Sequence, residues 1–512
     1  MGTAVRRRVG FLLGALAGTW SVGVMVVERL LLGLPTLPEH FIDATTAVLP
    51  LPLFAALLGV FETLAKPLLY VTLLLLLIAL GGLGGVWYLR WTDGGSLRRW
   101  RAAALLVVGS FLAVEIVLFP IAGVGLFAER SPAGPLPVGG GLLVALSAYA
   151  LGLATLSAAL AMDRGAPDAG PVRRALLRRM VAGVVALGGV VVGASVVPQL
   201  GRALSAPARW SARAGSLPPA VTPVGEFYVV SKNFSDPAVD VERWRLRVEG
   251  LVERALELRY EDLLDLPAVE QYTTLECISN EVGGPLIGNA RWRGVPLRHL
   301  LETAGVRSGV RDVVLFAEDG YADSVPLDRA LRPEVLIAYT MNGEPLTVSH
   351  GFPARLIVPG LYGIKNVKWL SRVELVDHDF QGYWQQRGWT DTGVIKTMSR
   401  IDVPAAGFGN VATVPVAEAL LGGIAFAGDR GISKVEVSLD GGRTWVEAEV
   451  DPALGPYTWV LWRKQWTPPQ SGEYHLLVRA YDGRGARQVE AHATPLPDGA
   501  SGLHTVVLRA LA

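Results

Sequence analysis

The chain has 512 residues, 51% of them hydrophobic and only 18% charged, with a mean hydropathy of +0.37. Soluble proteins average about 25% charged residues, so this composition argues against an all-soluble chain and excludes a disordered or collagen-like one. The net charge of +1 conceals a division: residues 1–200 carry 15 Lys and Arg against 9 Asp and Glu, the remainder 32 against 37. That balance offers no basic footprint for nucleic acid. A single cysteine, Cys277, excludes an internal disulfide and any zinc site built on a cysteine pair.

Crossing a bilayer takes about 20 apolar residues in a helix. Val9–Val27, Pro67–Leu89, Ala102–Ala128, Val138–Met162 and the shorter Met180–Val197 predict about five transmembrane helices. Leu51–Phe61 is too short to cross and reads as interfacial or re-entrant. Arg6–Arg8, the group Arg90, Arg98, Arg99 and Arg101, and the group Arg164, Arg173, Arg174, Arg178 and Arg179 fall on one side of this array. The short loops opposite carry only Arg29, Lys66 and Arg130. Positive charge stays inside, so the N-terminus is expected in the cytoplasm and everything after Val197 outside it. Glu115 lies well inside a span, where a lone carboxylate is thin support for transport. His40, placed in an outer loop with Pro35 and Pro38, is the only histidine before residue 299. A bis-histidine haem would need axial ligands within the spans, so this half reads as an anchor or docking surface.

Residues 201–224 have the composition of a linker, with Pro218, Pro219 and Pro223. From 225 to about 400 short helical pieces (Glu261–Leu266, His299–Ala304) interleave with strands such as Trp244–Val248, Val313–Phe316 and Arg355–Val358, an α+β pattern. Residues 401–512 read as all β. Lys434–Leu439 alternates, Asp440-Gly441-Gly442 turns, and Val446, Ala448 and Val450 return; Tyr474–Tyr481 supplies a further strand. Short strands at this spacing predict an immunoglobulin-like β-sandwich.

Cys277 sits in Thr273-Thr274-Leu275-Glu276-Cys277-Ile278-Ser279-Asn280-Glu281-Val282-Gly283-Gly284, a strand running into a glycine-containing loop. Three readings are open from the residue alone: an inert buried thiol, a nucleophile needing a histidine, or a soft-metal ligand. Downstream come Gly288–Leu297 with Trp292, Asn342-Gly343-Glu344-Pro345-Leu346, His350-Gly351-Phe352-Pro353-Ala354-Arg355, Val358-Pro359-Gly360 and Val367-Lys368-Trp369. With Ser438–Trp445 in the last domain, these ordered motifs resemble the sulfite oxidase family of molybdopterin-dependent oxidoreductases, in particular its bacterial membrane-anchored branch. The resemblance covers about residues 225–512.

It implies a molybdenum held by a pterin dithiolene, with Cys277 as the protein thiolate. It also implies that Lys232, Asn233, Asp319, His350, Arg355, Asn366, Val367 and Lys368 surround the cofactor and its phosphate. Tyr321 matches a tyrosine beside the metal, and the C-terminal domain is similar to the family's dimerisation domain, implying a homodimer. Trp292 fits a pocket wall or a core position. A phosphate dianion does require Arg, Lys and oriented N–H groups. Sulfite-oxidising members carry arginines shortly after the cysteine, whereas Asn280 is followed here by Glu281 and Val282. That departure puts sulfite and nitrate in doubt and suggests a likeness to periplasmic sulfoxide-reducing subunits served by a separate electron partner.

The expected protein is therefore a multi-domain oxidoreductase in a bacterial plasma membrane, acting on a small extracytoplasmic molecule. The Arg173-Arg174 and Arg178-Arg179 pairs suit either twin-arginine export or ordinary positive-inside anchoring. Two rivals remain: a cysteine hydrolase using Cys277 and His350, and an anchored binding or assembly protein with a degenerate cofactor site.

Overall fold

A computed structural model describes residues 3–48, 65–92, 96–129, 131, 134–162, 217–233, 236–237, 239–406 and 410–511. It divides into two units, residues 1–206 and 207–512.

The first unit is helical. Its helices are α1 (Thr3–Leu32), α2 (Leu37–Val48), α3 (Ala65–Trp91), α4 (Ser96–Ala113) and α5 (Pro135–Met162). α4 continues through a π turn, Val114–Leu118, into Phe119–Ile121. Among the described residues four stretches are long and apolar enough to cross a membrane: Ala4–Leu32, Leu68–Trp91, Arg98–Ile121 and Pro135–Ala158. They coincide with four of the five expected spans. Met180–Val197, Leu51–Phe61 and the arginines from Arg164 to Arg179 lie outside the described residues. The third span stops earlier than expected because Gly123 and Gly125 turn left-handed, at φ +73° and +82°.

α1 and α3 meet through glycines spaced four apart, Gly10 and Gly14 against Gly81 and Gly85. A Cβ on Gly14 would collide with the Gly81 carbonyl, and one on Gly85 with that of Gly10. Backbones can approach this closely only where side chains are absent. The Tyr149 hydroxyl of α5 donates to Gly81 O at 2.6 Å.

His40 is not in a loop. It lies on α2, buried, with its ring edge-on to Phe119 at a centroid distance of 5.2 Å. The prolines misled because Pro is tolerated in a first helical turn, where its missing N–H would be unpaired anyway. Glu39 completes that helix start by accepting the Thr36 N–H at 2.6 Å. Glu115 lies in the π turn, buried, and neither carboxylate oxygen has a hydrogen-bond partner among the described residues.

The second unit begins with two five-stranded sheets. One has the order Leu256–Leu258, Leu246–Gly250, Leu370–Val376, Asp312–Ala317, Ala322–Pro326. In the other, Val269–Glu276, Ile287–Pro296, Leu336–Met341 and Glu344–Pro345 follow one another, and Arg355–Ile357 also pairs with Leu336–Met341. Alternation along the central strand of the second sheet divides two cores. Ile337 and Tyr339 join Trp244, Leu300, Leu315 and Val373. Leu336 and Ala338 join Phe227, Tyr228, Leu275, Trp292 and Cys277. A period of two sends neighbouring side chains to opposite faces, so one strand serves both cores.

The C-terminal region is β-rich, as expected. A four-stranded sheet runs Met398–Val403, Ala419–Phe426, Val460–Trp466, Glu449–Val450. A five-stranded sheet runs Val411–Pro415, His504–Leu511, Gly472–Asp482, Ile432–Ser438, Val446–Glu447. Ile401, Leu421, Val435, Trp462, Leu476, Val478 and Leu508 form their shared core. The expected hairpin is present, but its return arm divides: Val446 pairs with Val437, whereas Val450 pairs with Trp462 of the other sheet. Buried Ala448, donating its N–H to Val435 O, marks the crossing.

Candidate active site

One cleft of the second unit is built around Cys277. It contains about 740 Å³ of atom-free space, a figure that includes open solvent at its mouth. The strand Val269–Glu276 ends one residue before the cysteine. A tight turn then presents the thiol: Cys277 N–H donates to Leu286 O, and Asn280 N–H to Cys277 O. The Asn280 side chain locks that turn, donating to Glu276 Oε1 at 3.0 Å and accepting from Leu286 N at 2.9 Å. Cys277 is 6% exposed, and its Sγ lies 3.0 Å from Ser279 Oγ. Burial pushes the thiol up, so on its own it is a weak nucleophile at neutral pH.

Of the ten residues predicted for the site, nine line this cleft: Lys232, Cys277, Asp319, Tyr321, His350, Arg355, Asn366, Val367 and Lys368. Asn233 stands behind it, donating to Asp319 Oδ2 at 2.8 Å. Asp319 organises that corner, since its carbonyl accepts from Lys232 Nζ at 2.9 Å and its Oδ1 from Tyr321 N–H at 2.9 Å.

Arg355 is held by the carbonyls of His350 and Asn366, at 3.1 and 3.2 Å, and lies over the Trp292 ring. Burial lowers its guanidinium to about 10, which leaves it charged at neutral pH. Lys368 donates to Ser349 O at 3.0 Å and lies 4.2 Å from the Trp369 ring centroid. His350 is held neutral, its pKa lowered to about 4 by burial, with Nε2 3.1 Å from Val224 O. Asn366 is a scaffold residue. Its side chain accepts from Val358 N and donates to the Leu361 and Tyr362 carbonyls.

Trp292 turns out to be core. It is fully buried, donates to Thr273 O, and touches the cleft lining through Arg355 and Phe227. Glu281 is exposed and is not among the residues that line the cleft. Sequence reasoning missed Phe227, Tyr228, Trp369 and Trp384, which also line the cleft. Trp369 adopts φ +51°, a strained conformation for a bulky side chain of the kind stored at functional sites. Nothing in the local pattern announces it.

These residues suit a group carrying both a soft metal and a phosphate. A buried thiol faces the same space as Lys232, Arg355 and Lys368, and Arg355 Nε is buried without a hydrogen-bond partner among the described residues. Two glycines let the backbone pack close to these side chains. A Cβ on Gly363 would stand 2.9 Å from the Tyr228 hydroxyl, and one on Gly351, at φ +106°, 3.0 Å from Lys368 Cβ. A phosphate recruits such donors, and a thiolate recruits a soft metal.

This is the architecture of a molybdopterin oxidoreductase. Residues 233–384 match the oxidoreductase molybdopterin-binding domain, and residues 410–495 match the Mo-co oxidoreductase dimerisation domain. The chain is 32% identical over 328 residues to sulfite oxidase of Arabidopsis thaliana, covering 53% of this chain and 82% of that one. It is 33% identical over 294 residues to mitochondrial sulfite oxidase of Rattus norvegicus, covering 48% of this chain and 53% of the relative, so it spans about half the length of that protein. The crystal structure of the sulfane dehydrogenase SoxCD from Paracoccus pantotrophus aligns at TM-score 0.50 and 26% identity, over 58% of this chain and 85% of that one. The chain belongs to the sulfite oxidase family of molybdopterin-dependent oxidoreductases, and its cofactor is a molybdopterin.

Proposed function

We propose that this is a membrane-anchored molybdenum oxidoreductase that moves an oxygen atom, or its two-electron equivalent, to or from a small molecule outside the cytoplasm. The observation that carries the reading is the Cys277 thiol facing one cleft with Lys232, Arg355 and Lys368. The bound group supplies a metal cycling between Mo(VI) and Mo(IV). Cys277 ligates that metal. Lys232, Arg355 and Lys368 neutralise the pterin phosphate, and His350, neutral, adds a directional contact. Asp319 and Asn233 hold Lys232, and Asn366 and Val367 shape the loop before Lys368. Tyr321 gives a hydrogen bond to an oxygen of the bound molecule.

The substrate is a small uncharged oxide, such as a sulfoxide, in preference to sulfite. The arginines that sulfite-oxidising relatives place just after the cysteine are missing here, and a dianion calls for guanidinium partners. Electrons come from or go to a separate carrier. The apolar helices seat the catalytic unit on the outer face of a bacterial plasma membrane, and the C-terminal region pairs two copies. By residue number the parts are the anchor (1–200), the linker (201–224), the cofactor domain (225–400) and the dimerisation domain (401–512), read as immunoglobulin-like.

The hydrolase alternative is disfavoured because Cys277 bonds Ser279, while His350 Nε2 is engaged by Val224. Metal and pterin analysis of the detergent-purified protein tests the proposal. We expect about one molybdenum and one pterin per chain, with molybdenum lost in Cys277→Ala. Protein free of both would refute it, and a metal-free chain inactivated by thiol reagents would favour the hydrolase.

A further inference from the structure

Tyr321 lines the cleft beside Ile364, and two oxygens of the fold hold its hydroxyl. It lies 2.7 Å from Ile364 O and 3.0 Å from Asp323 Oδ2. Asp323 is 0% exposed, and its other oxygen accepts from Lys365 Nζ at 2.8 Å and from Ser324 N at 2.8 Å. Lys365 is 2% exposed, and its ammonium also donates to Ser324 O at 3.0 Å and to Asp391 Oδ1 at 3.1 Å. The Asp391 side chain is 41% exposed. Among the described residues Gln385 is the remaining polar side chain on Asp323, donating to Oδ2 at 3.3 Å. An unbroken file of hydrogen-bonding groups therefore joins the cleft to the surface: phenol, carboxylate, ammonium, carboxylate.

Such an arrangement is costly as a mere tie. Desolvating a carboxylate and an ammonium together often stabilises no more than well-packed apolar side chains would. The phenol adds a second oddity, having one hydrogen for two acceptors. Both features make sense if the hydrogens in this file move.

We propose that Asp323, Lys365 and Asp391 form a proton path that serves Tyr321. The path rests on the function proposed above, because removing an oxygen atom as water consumes two protons along with two electrons from the carrier. For each proton taken in, the Tyr321 O–H bond breaks as its hydrogen passes to an oxygen of the molecule in the cleft. The Asp323 carboxylate takes a proton from the Lys365 ammonium and passes a hydrogen to the phenolic oxygen, and Asp391 carries a proton from water to the neutral Lys365. One proton leaves bulk water, one arrives in the cleft, and every member of the file ends as it began. The opposite reaction runs the same steps backwards. Asp323, Lys365 and Asp391 are relay residues and touch no substrate.

The decisive variant is Lys365→Arg. A guanidinium keeps the positive charge beside Asp323 yet does not release a proton in a protein. Asp391→Asn blocks the mouth at an exposed position, where folding is not at stake. Turnover of dimethyl sulfoxide by the full-length holoenzyme, with reduced viologen as donor, should fall about 10²-fold in Lys365→Arg at unchanged molybdenum content and unchanged melting temperature. It should fall less in Asp391→Asn and recover there with rising imidazole buffer, and a solvent deuterium isotope effect should appear in both. A structural pair predicts near-normal turnover for Lys365→Arg and no buffer rescue for Asp391→Asn, and either result overturns the path.

A second measurement needs neither cofactor nor turnover. After a rapid drop in pH, the infrared carboxyl band that is absent from Asp323→Asn should rise at least tenfold more slowly in Lys365→Arg and Asp391→Asn than in the wild type. Equal rates would overturn the path even in a protein lacking molybdenum. Slowed rates in such a protein would keep the path while the oxidoreductase reading fell.

Discussion

His350 shows how burial sets the chemistry of a single residue in this cleft. Its imidazole is 4% exposed and is held at about 4, because burial opposes its charge. The unfolded chain binds a proton there near pH 6.5, so between pH 6.5 and 4 the unfolded state holds more protons than the folded one. Stability from this residue is complete above pH 6.5 and is lost as pH falls towards 4. The full shift is worth on the order of 3 kcal/mol. Chemical denaturation of cofactor-free protein should show that loss in the wild type and not in His350→Gln, whose amide can still donate to Val224 O. Parallel pH curves for the two proteins would contradict the assignment. The same neutrality suits the proposed role: a neutral imidazole orients a bound group, and the cationic work falls to Arg355 and the two lysines.

At the scale of elements, α1 and α3 depend on what their glycines lack. Gly14→Val should separate the two helices, since any Cβ there meets the Gly81 carbonyl, whereas Gly109→Val on α4 meets nothing within 4 Å. The first should lower stability in detergent by at least about 1–3 kcal/mol, and the second should be nearly neutral. Thermal unfolding followed by tryptophan fluorescence separates them. The apolar runs of these helices were plain in the sequence because a bilayer demands length and apolarity, both of which are local. Their glycine contact was not, since spacing within one helix does not reveal its partner. The cleft divides in the same way. Cys277, Arg355 and Lys368 sit in contiguous motifs and could be read directly. Trp384 and the Asp323–Lys365–Asp391 file come together only when separate strands and loops fold against one another. Asp323 lies only two residues from Tyr321, but a carboxylate in a strand discloses neither its burial nor its partner. His40 was misplaced for a local reason, as prolines mark loops and first helical turns alike.

For the whole molecule, the charge division of the sequence becomes a statement about assembly and address. The dimerisation-domain match over residues 410–495 predicts that sedimentation of the detergent-solubilised protein gives twice the 54.6 kDa chain mass, detergent subtracted. A monomer at micromolar concentration would count against that pairing. The proposed placement outside the cytoplasm raises a harder question, which is how a catalytic unit would reach the far side of a membrane. On the proposed reading, a pterin held by buried cations and a buried thiol would enter before the fold closes, and a folded domain would then need a route that does not unfold it. The arginine pairs at Arg173-Arg174 and Arg178-Arg179, just ahead of the apolar stretch Met180–Val197, satisfy two requirements at once. In the proposed orientation they add positive charge to the cytoplasmic side, and they resemble a signal read by a twin-arginine route. Replacing Arg178 and Arg179 by lysine separates these roles, because lysine preserves the charge on which orientation depends. If the arginines are read as a signal, the catalytic unit of the lysine variant stays inside and resists protease added to intact cells. If they serve only as charge, the unit is still exported and is cleaved as readily as in the wild type.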